Sequence, residues 1–282
     1  MKRNKSFNNE TPLLYLLATP IGNLKEITTR ALEVLNEADL IAAEDTRNTK
    51  SLLAKYDINK PLFSLREHNE SEGSEHIINL ILNEGKKVVY VSDAGYPGIS
   101  DPGAILVKKC IQKNISVSTV SGACAFINAL VASGLPTDHF YFHGFLNPKE
   151  SQAANELKLL AKKTETLIFY ESPHRIIETI RVLHRILGNR EAVIARELTK
   201  LNEEYIRGSL EELVNLDATT LKGEMVVMVE GLKESNQVDE KEIKDRVNYF
   251  IKKGLSKKDA VQLTAEILNI NKNLVYKIAI EE

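Results

Sequence analysis

The chain contains no tryptophan and only two cysteines in 282 residues, and this shortage restricts the kinds of site it can carry. Cys110 and Cys124 form neither a CxxC pair nor a metal-ligand spacing, which indicates a reducing compartment and a fold that does not depend on disulfides. His68 and His76 complete no metal spacing with either cysteine. We therefore predict no metal site.

A charge excess of one sign and long apolar runs are also missing. The 37 basic and 39 acidic residues give a formal net charge of −2, so contact with RNA would need a local basic patch. The apolar run LLYLLA follows Lys2, Arg3 and Lys5, but it is short and leads to no small-residue cleavage site, so we predict no signal peptide. No run approaches the roughly 18 apolar residues of a membrane helix. We expect a cytoplasmic protein without a membrane partner.

Several common catalytic motifs are absent as well. The chain has no GxxxxGKS or GxxxxGKT phosphate loop, and no GxGxxG follows its first predicted strand. It also lacks a GxSxG elbow and an HExxH helix. These absences argue against an ATP-hydrolysing enzyme, a conventional dinucleotide-binding fold, a serine hydrolase and a zinc protease.

Short apolar runs alternate with helical spacing in the first 120 residues. Strands are predicted at residues 13–19, 40–43, 62–65, 88–92 and 115–120. Helices are predicted between them at residues 27–38, 46–56, 72–84 and 103–113. Strands that alternate with helices indicate βαβ units and a mostly parallel sheet. We predict an α/β domain over residues 12–119, preceded by a disordered segment over residues 1–11.

The pattern changes near residue 120. A small-residue helix is predicted over residues 122–134, where Gly134 and Pro136 mark its end. Longer strands follow at residues 140–145, 166–172, 192–199 and 224–231, with helices at residues 150–162 and 175–187. We predict a second α/β domain with a mixed sheet over residues 120–232.

A third unit is predicted over residues 233–282. The polar segment KESNQVDEK indicates a linker, and three short helices resembling a helix-turn-helix follow, the second begun by Ser256 and Asp259 in a capping-box-like spacing. Four lysines crowd the first turn as candidate RNA contacts: Lys252, Lys253, Lys257 and Lys258. The alternative is a helical tail packed on the main body with solvated lysines.

Four loops rich in glycine or acidic residues each follow a predicted strand. They are ATPIGNL (18–24), AAEDTRNT (42–49), VSDAGYPGISDPG (91–103) and VSGACA (120–125). Ligands bind at the carboxyl ends of the strands in open α/β sheets, so these loops predict a ligand cleft. Within the third loop, Asp101 and Pro102 fit the N-cap and first residue of the next helix.

The ordered motifs of the chain resemble a known family. ATPIGNLKEITTRALEVLNEADLIAAEDTRNT, SLREHNE, VSDAGYPGISDPG, IFYESPHR, ARELTK and KGEMVVMVEG are similar to the ribosomal small-subunit RNA cytidine 2′-O-methyltransferases, within the tetrapyrrole-methylase (class III) S-adenosylmethionine-dependent enzymes. The resemblance runs from about Leu13 to Gly231 and extends to the helical tail. It implies an α/β, two-domain tetrapyrrole-methylase-like fold with a cofactor cleft between the domains, plus a small C-terminal helical domain.

The resemblance also implies an activity and its partners. Methyl transfer from S-adenosylmethionine to the ribose 2′-hydroxyl of a cytidine in the decoding region of small-subunit ribosomal RNA is expected, with the assembled subunit as the preferred substrate and a homodimer as the enzyme. A non-catalytic ribosome assembly or binding factor, or a methylase of the superfamily with another acceptor, is the alternative.

Candidate site residues follow from the resemblance and from their positions in the loops. Cofactor contacts are expected from Pro20, Gly22, Asn23, Ser92, Asp93, Ala94, Gly95, Ser121, Gly122, Phe169, Tyr170, Gly223, Glu224 and Met225. Catalytic candidates are Glu44, Asp45 and Arg47. RNA contacts, besides the four lysines, are expected from His68, Glu171, His174, Arg175 and Lys200.

Structural alternatives stand beside these roles. Asp45 would cap the following helix while Arg47 pairs with Glu44, and Glu171 and Arg175 would belong to an ion-pair network between helix and sheet. The chain also departs from the family pattern: Tyr96 stands where threonine is usual, and Ser121-Gly122-Ala123 replaces PGP. Tyr96 would narrow the pocket or stack on the cofactor, and loss of the prolines would loosen the loop.

Overall fold

The computed structural model describes residues 13–233, 240–268 and 270–280. The predicted disordered N-terminus, most of the predicted linker and part of the predicted turn near Asn271 lie outside these residues. The chain forms two compact units, of which the first ends at Leu232 and the second begins at Lys233.

The first unit begins with a fully parallel five-stranded sheet. Its strands are β1 (Leu13–Leu17), β2 (Leu40–Ala43), β3 (Leu62–Ser64), β4 (Val88–Val91) and β5 (Ser116–Val120), in the order β3-β2-β4-β1-β5. Its helices are α1 (Thr29–Glu37), α2 (Thr46–Ala54), α3 (Glu70–Glu84) and α4 (Ala104–Gln112), with 3-10 turns at Leu24–Glu26 and Glu67–Asn69. The residues of β4 are all buried, which explains why its sequence is apolar without alternation. The predicted parallel sheet is confirmed.

A second five-stranded sheet follows in the same unit. Its strands are β6 (Phe140–Phe145), β7 (Thr166–Glu171), β8 (Glu191–Arg196), β9 (Glu204–Ser209) and β10 (Met225–Val229), in the order β6-β7-β10-β8-β9. Its helices are α5 (Ala125–Ser133), α6 (Glu150–Leu160), α7 (Ile176–Leu187) and α8 (Leu210–Leu213), with a 3-10 turn at Ala218–Thr220. β6 and β7 are parallel and the other pairs antiparallel, so the predicted mixed sheet is confirmed.

Two features of the second sheet were not predicted from the pattern. β9 is an edge strand with no fully buried residue, and α8 is only one turn long. Neither produces a clear apolar periodicity, which explains why the sequence did not reveal them. The change from a parallel to a mixed sheet falls between β5 and β6. The division into domains at residues 119 and 120 stays a prediction, because both sheets belong to one compact unit.

The start of α4 differs from the prediction. The helix begins at Ala104, and its N-cap is Gly103 at φ 139°, so Asp101 is not the cap and that prediction was wrong. Glu70 at the start of α3 supplies the missing acceptor instead. Its Oε1 atom accepts the backbone N–H groups of Gly103 at 2.8 Å, Ile105 at 2.9 Å and Leu106 at 3.3 Å. Glu70 therefore ties the end of the 91–103 loop to α3, and a carboxylate is favoured at a helix N-terminus.

The second unit contains three helices. They are α9 (Glu240–Lys252), α10 (Lys257–Leu268) and α11 (Lys272–Ile280). Their core includes Ile243, Val247, Val261 and Val275. The predicted cap is confirmed: the Asp259 N–H donates to Ser256 Oγ at 3.2 Å, and the Ser256 hydroxyl donates to Asp259 Oδ2 at 2.6 Å.

Two searches over the described ranges 13–233, 240–268 and 270–280 gave negative results. None of the helices there combines the length and the apolar character that a membrane span requires. In the same ranges no group of three or more histidine, cysteine, aspartate or glutamate side chains is arranged to hold a metal ion.

The cap of α4 leads to a prediction about stability. Glu70 is 5% exposed, and Glu70→Ala would leave three N–H groups without their acceptor. We expect a loss of about 3 kcal/mol in the free energy of unfolding, because an unsatisfied buried donor costs roughly 1–3 kcal/mol. Urea titration measures the change, with Glu72→Ala as the control because Glu72 is exposed on the same helix. Equal stability of the two variants would contradict the assigned role of Glu70.

A cleft between the two sheets as the candidate active site

A cleft of about 380 Å³ lies between the two sheets of the first unit. On one side it is lined by Glu44 after β2 and by Asp93 and Gly95 after β4. On the other side it is lined by Tyr170 at the end of β7 and Met225 at the start of β10. Its volume falls within the range of small-molecule sites. The cleft thus lies where the strand-end loops predicted a ligand.

The cleft is acidic and partly aromatic. Five carboxylates line it, from Glu44, Asp93, Asp101, Glu171 and Glu224. No lysine, arginine or histidine of the described residues does so. Three aromatic rings complete the lining, those of Tyr96, Phe145 and Tyr170. Such a lining favours a ligand that has both a positive charge and a flat ring.

The glycines of the 91–103 loop shape the backbone. Gly95 has φ 78°, and it exchanges two backbone hydrogen bonds with Thr19, at 2.9 Å and 3.1 Å. Gly98 has φ 84°, and its N–H donates to the Pro102 carbonyl at 3.0 Å. Their positive φ angles explain the need for glycine. Since the Gly95 amide and carbonyl bond to Thr19, the glycine holds the loop rather than offering a free amide to a ligand.

Asp93 connects the loops that follow β2 and β4. Its Oδ1 atom accepts the Asp45 N–H at 3.3 Å, and its Oδ2 atom accepts the Asn48 side-chain amide at 2.7 Å. Asp93 also lines a smaller pocket of about 150 Å³, together with Pro20, Gly22 and Ser92. The sequence analysis did not predict a role for Asn48. Its position in the strand-end loop AAEDTRNT was the available signal.

The three predicted catalytic residues separate into two groups. The Asp45 carboxylate accepts the Arg47 N–H at 2.9 Å, capping α2, and the Arg47 Nε at 3.0 Å. These hydrogen bonds hold the pKa of Asp45 well below its usual range. Asp45 and Arg47 do not line the cleft, so the structural alternative holds for them, except that Arg47 pairs with Asp45 and not with Glu44.

Glu44 is the predicted catalytic residue that does line the cleft. Burial, followed by the charge of Asp93, raises the pKa of its carboxyl, while the Asp93 backbone N–H offsets part of the rise. The Glu44 carbonyl accepts the Arg66 Nε at 3.1 Å, so the backbone beside the carboxylate is fixed. Glu44 is therefore a desolvated carboxylate at a constrained position.

Asp101, which was predicted from the sequence to be a helix cap, lines the cleft. Burial, and after it the negative charge of Glu44, raises the pKa of Asp101 to about 6, while the Ser92 side chain offsets part of the rise. The N-cap of the helix is Gly103, and the acceptor for its first N–H groups comes from Glu70, so no local pattern in SDPG revealed the place of Asp101.

Residues 169 and 170 face opposite sides of the second sheet. Phe169 has 0% exposure and packs with Leu167, Ile180 and Val227, whereas Tyr170 lines the cleft. The prediction that Phe169 contacts the cofactor was wrong, because successive residues of a strand point to opposite faces. Tyr170, Glu224 and Met225 do line the cleft.

Four other predicted cofactor residues make structural contacts near the cleft and do not line it. Asn23 caps a 3-10 turn through the Lys25 N–H at 3.1 Å. The Ser121 carbonyl accepts the Thr28 hydroxyl at 3.4 Å, and the Gly122 N–H donates to the Tyr96 hydroxyl oxygen at 3.1 Å. Gly223 has φ 83°, where a side chain would collide with that of Glu197. None of the four lines the cleft.

The YESPHR residues form an internal network. Glu171 is 3% exposed, and its carboxylate accepts the Thr179 hydroxyl at 2.6 Å and the Ser172 N–H at 2.8 Å. Arg175 lies 3.5 Å from Glu171 and donates to the Leu146 carbonyl at 3.1 Å. These contacts are those of the ion-pair alternative. The burial of Glu171 disfavours its contact with RNA, whereas contact of Arg175, whose side chain is 32% exposed, with RNA stays a prediction.

The remaining predicted RNA contacts of the first unit are accessible to different degrees. His68 and His174 are exposed. Lys200 pairs with Glu197 at 3.0 Å and with Glu224 at 3.4 Å, at the rim of the cleft that Glu224 lines. Their contact with RNA stays a prediction.

Comparison with proteins of known sequence gives full-length matches. The chain is 43% identical to "Ribosomal RNA small subunit methyltransferase I" of Bacillus subtilis (strain 168), over 98% of this chain and 97% of that protein. It is 44% identical to the protein of the same name from Escherichia coli O157:H7, over 100% of this chain and 99% of that protein.

Comparison with solved structures gives the fold. The methyltransferase CobJ matches with a TM-score of 0.59 at 18% identity, over 79% of this chain and 95% of that chain. A diphthine synthase matches with a TM-score of 0.58 at 16% identity, over 78% of this chain and 89% of that chain. The predicted tetrapyrrole-methylase-like fold is confirmed by these likenesses, which at such low identity show the fold alone.

A family model matches most of the first unit. The model that describes Tetrapyrrole (Corrin/Porphyrin) Methylases covers residues 13–214, which contain both sheets except β10. The methyl donor of this protein is S-adenosylmethionine, as predicted. From the order of its strands, the acidic cleft between its sheets and these matches, we conclude that the chain belongs to the tetrapyrrole methylase family.

Proposed function

We propose that this protein methylates the ribose 2′-hydroxyl of a cytidine in small-subunit ribosomal RNA. The observation that carries the proposal is the likeness, at 43% and 44% identity over nearly the whole chain, to relatives named as ribosomal RNA small-subunit methyltransferases. The acidic, aromatic cleft supports it, because it suits the cationic methyl donor. Decoding-region cytidine as the acceptor, and the assembled subunit as the preferred substrate, belong to the same proposal.

The residues of the cleft fit S-adenosylmethionine. When bound, this cofactor supplies an electrophilic methyl group on a positively charged sulfur. We propose that Tyr170 and Met225 contact its flat base, and that Asp93 with the backbone of Ala94 holds its polar groups, while Gly95 shapes the loop that carries them. The carboxylates, unopposed by basic side chains in the lining, attract its positive charge. Pro20, Gly22 and Ser92 line the adjacent smaller pocket and support the same wall.

The chain's own contribution to the reaction is mainly positioning. A substrate hydroxyl held in line with a methyl group, at near-attack distance, gains much of the needed acceleration from orientation alone. Hydrogen bonds hold the loops on the first-sheet side, between Thr19 and Gly95, between Asp93 and Asn48, and between Tyr96 and Gly122. A rigid wall of this kind limits the movement of both reactants.

RNA contacts are proposed for each unit separately. In the first unit they involve His68, His174 and Lys200. In the second they involve Lys252, Lys253, Lys257 and Lys258, which are exposed. The ammonium group of Lys253 lies 5.7 Å from the centre of the Tyr249 ring, and the exposure of all four lysines supports their contact with phosphates.

Two further expectations belong to the proposal. A ribosomal substrate would place the protein in the cytoplasm. A homodimer would bury the apolar surface of α5, on which Val131 is 71% exposed and Ile127 is also exposed. A measured molar mass of one chain in solution across concentrations would contradict the homodimer.

The first prediction concerns the reaction. We expect transfer of labelled methyl from S-adenosylmethionine to small subunits that lack the modification, recovered after digestion as cytidine 2′-O-methyl, with less transfer to deproteinised RNA. Mass spectrometry of the nucleosides identifies the product. Cofactor binding without transfer to either RNA would indicate a methylase with another acceptor. Absence of both would favour a non-catalytic ribosome-binding protein.

The second prediction concerns the wall of the cleft. Tyr96→Phe leaves the Gly122 N–H without its acceptor, and we expect cofactor binding to weaken by about fivefold, equivalent to ~1 kcal/mol for one such hydrogen bond. Isothermal titration calorimetry measures the Kd. Tyr205→Phe is the control, because it removes another tyrosine hydroxyl bonded to the backbone, one that donates to the Asn128 carbonyl and does not line the cleft. An unchanged Kd for Tyr96→Phe would show that the hydrogen bond does not order the site.

The third prediction concerns the lysines of the second unit. Replacing Lys252, Lys253, Lys257 and Lys258 with alanine should weaken RNA binding and flatten the dependence of log Kd on log salt, by about 0.7 to 0.9 for each phosphate that the protein no longer neutralises. Filter binding at several potassium chloride concentrations measures the slope. Alanine at four exposed lysines of the first unit is the control: Lys55, Lys86, Lys113 and Lys162. An unchanged slope in the test variant would favour solvated lysines on a packed tail.

A further inference from the structure

We propose that the guanidinium groups of Arg47 and Arg66, held together by the Asp45 carboxylate, bind the RNA phosphate on the 3′ side of the acceptor ribose. The inference rests on the proposed function and deepens it by naming where the charged backbone of the substrate is held. Both arginines belong to strand-end motifs, AAEDTRNT and SLREHNE, and neither lines the cleft.

A ribose 2′-hydroxyl cannot enter the cleft without a phosphate close behind it. The 2′-oxygen and the 3′-phosphate group are attached to neighbouring carbons of the same ribose. Five carboxylates line the cleft, so a phosphate that approaches with the hydroxyl is repelled. Among the residues that the structure describes, no lysine, arginine or histidine lines the cleft to offset this repulsion. A cationic group directly beside the lining would offset it.

Asp45 lies directly beside the lining of the cleft. It follows Glu44, a cleft residue, and its backbone N–H donates to Asp93, another cleft residue, at 3.3 Å. The Asp45 carboxylate itself does not line the cleft. It pairs with the Arg47 guanidinium, and its Oδ2 atom lies 3.6 Å from that of Arg66. Two guanidinium groups are thus gathered around a carboxylate that is one residue away from the lining.

Asp45 occupies only one edge of the Arg47 guanidinium. The Arg47 Nε atom donates to Oδ1 at 3.0 Å and a terminal nitrogen donates to Oδ2, so the side edge of the planar group is used. The end edge, formed by the two terminal nitrogens, carries further N–H donors. The Arg47 side chain is 83% exposed. A second oxyanion can therefore bind this edge in the bidentate geometry that arginine offers to phosphate.

Arg66 is fixed beside Arg47 by the loop after β3. The Arg66 Nε donates to the Glu44 carbonyl at 3.1 Å, and the side chain is 44% exposed. The Arg66 N–H donates to the Asn69 side chain at 2.6 Å, and the Asn69 amide donates to the Ser64 carbonyl at 3.2 Å. These hydrogen bonds hold Arg66 in place before RNA binds, which reduces the conformational entropy lost on binding.

The three charged groups together carry one unit of positive charge. Both guanidinium groups are protonated, and hydrogen bonds from Arg47 hold the pKa of Asp45 well below its usual range, so Asp45 is ionised. Two positive charges and one negative charge leave one positive charge for a phosphate. Lys50, one turn after Arg47 on α2, and His68 on the turn after β3 are exposed and add to this basic surface, whereas Glu67 opposes it.

The test compares Arg47→Gln, Arg66→Gln and the double variant with the wild type in methyl transfer to small subunits that lack the modification. We expect KM for the subunit to rise by roughly 10- to 100-fold in each single variant, because a hydrogen bond between charged groups is lost. The Kd for S-adenosylmethionine should change by less than about threefold. Arg47→Gln keeps the backbone N–H that Asp45 accepts at the start of α2, so the fold is retained.

Arg185→Gln is the matched control. Arg185 is also an exposed arginine of the first unit that pairs with a carboxylate, that of Glu150 at 2.7 Å, and it does not line the cleft. We expect its KM for the subunit to equal that of the wild type. Loss of a surface ion pair alone is thereby separated from loss of a phosphate contact.

The dependence of RNA binding on salt tests whether the two arginines share one phosphate. In the double variant the slope of log Kd against log salt should fall by about 0.7 to 0.9, the value for one phosphate that is no longer neutralised. A fall twice as large would mean that the two arginines bind separate phosphates, and it would contradict the shared site.

A neutral linkage in the RNA gives an independent readout without turnover. A decoding-region RNA fragment is made with a methylphosphonate on the 3′ side of the acceptor cytidine, and its Kd is measured by fluorescence anisotropy. The wild type should bind this RNA more weakly than the unmodified fragment, whereas the double variant should bind both equally, because the two changes remove the same contact. A fragment with the methylphosphonate several nucleotides away is the control.

The outcomes separate the two hypotheses. Transfer by the wild type, with KM of the double variant within threefold and an unchanged salt slope, would overturn the phosphate site alone. So would a double variant that still binds the methylphosphonate RNA more weakly than the unmodified RNA. A wild type that binds S-adenosylmethionine but methylates no cytidine would overturn the proposed function instead, and the phosphate site with it.

Discussion

The hydrogen bonds that fix both ends of the 91–103 loop are the constraint on which the cleft depends. Near one end, Gly95 and Thr19 exchange backbone hydrogen bonds and join this loop to the one after β1. At the other, Glu70 accepts three N–H groups at the start of α4. This loop carries Asp93, just before Gly95, and Asp101, just before the start of α4; both line the cleft, and glycines at positive φ make the turns between them. Release of the Gly95 end would move the Asp93 carboxylate, and release of the α4 end would move the Asp101 carboxylate.

The electrostatics of the cleft follow from this arrangement. Desolvation and mutual repulsion raise the pKa of both Glu44 and Asp101, which means that the protein holds these charges in an unfavourable setting. A cation bound among them would relieve the repulsion. The same feature therefore favours the binding of a positively charged cofactor. Structural stability is supplied elsewhere, by the apolar residues on both faces of each sheet.

Much of the fold was predictable because strand burial and helix periodicity are local properties of the sequence. The residues of β4 are all buried, and their unbroken apolar run identified a strand of a parallel sheet. The edge strand β9 was not predicted, because its residues are not fully buried and form no unbroken apolar run. The site was harder to predict. Asp45 and Asp101 have similar contexts, each an aspartate beside a helix start, yet only Asp45 became the cap.

The difference arises from contacts distant in sequence. Glu70 supplies the acceptor for α4 from another helix, which leaves Asp101 free to face the cleft, and no local pattern could reveal this. For Phe169 and Tyr170 a local rule was sufficient. Successive residues of a strand point to opposite faces, so only one of the two can line the cleft. Motif resemblance assigned neighbouring residues to one ligand, whereas geometry divides them between core and cleft.

The acidity of the cleft also limits how RNA can approach it. Five carboxylates repel phosphates, so the nucleic-acid backbone is unfavourable inside, whereas a ribose hydroxyl carries no charge and can enter. This agrees with the proposed phosphate contacts, since His68, His174 and the lysines of the second unit are exposed and do not line the cleft. A net charge of −2 is therefore compatible with action on RNA, because attraction of phosphates needs only a local basic surface, and the cleft itself has to admit a neutral hydroxyl and a cationic cofactor.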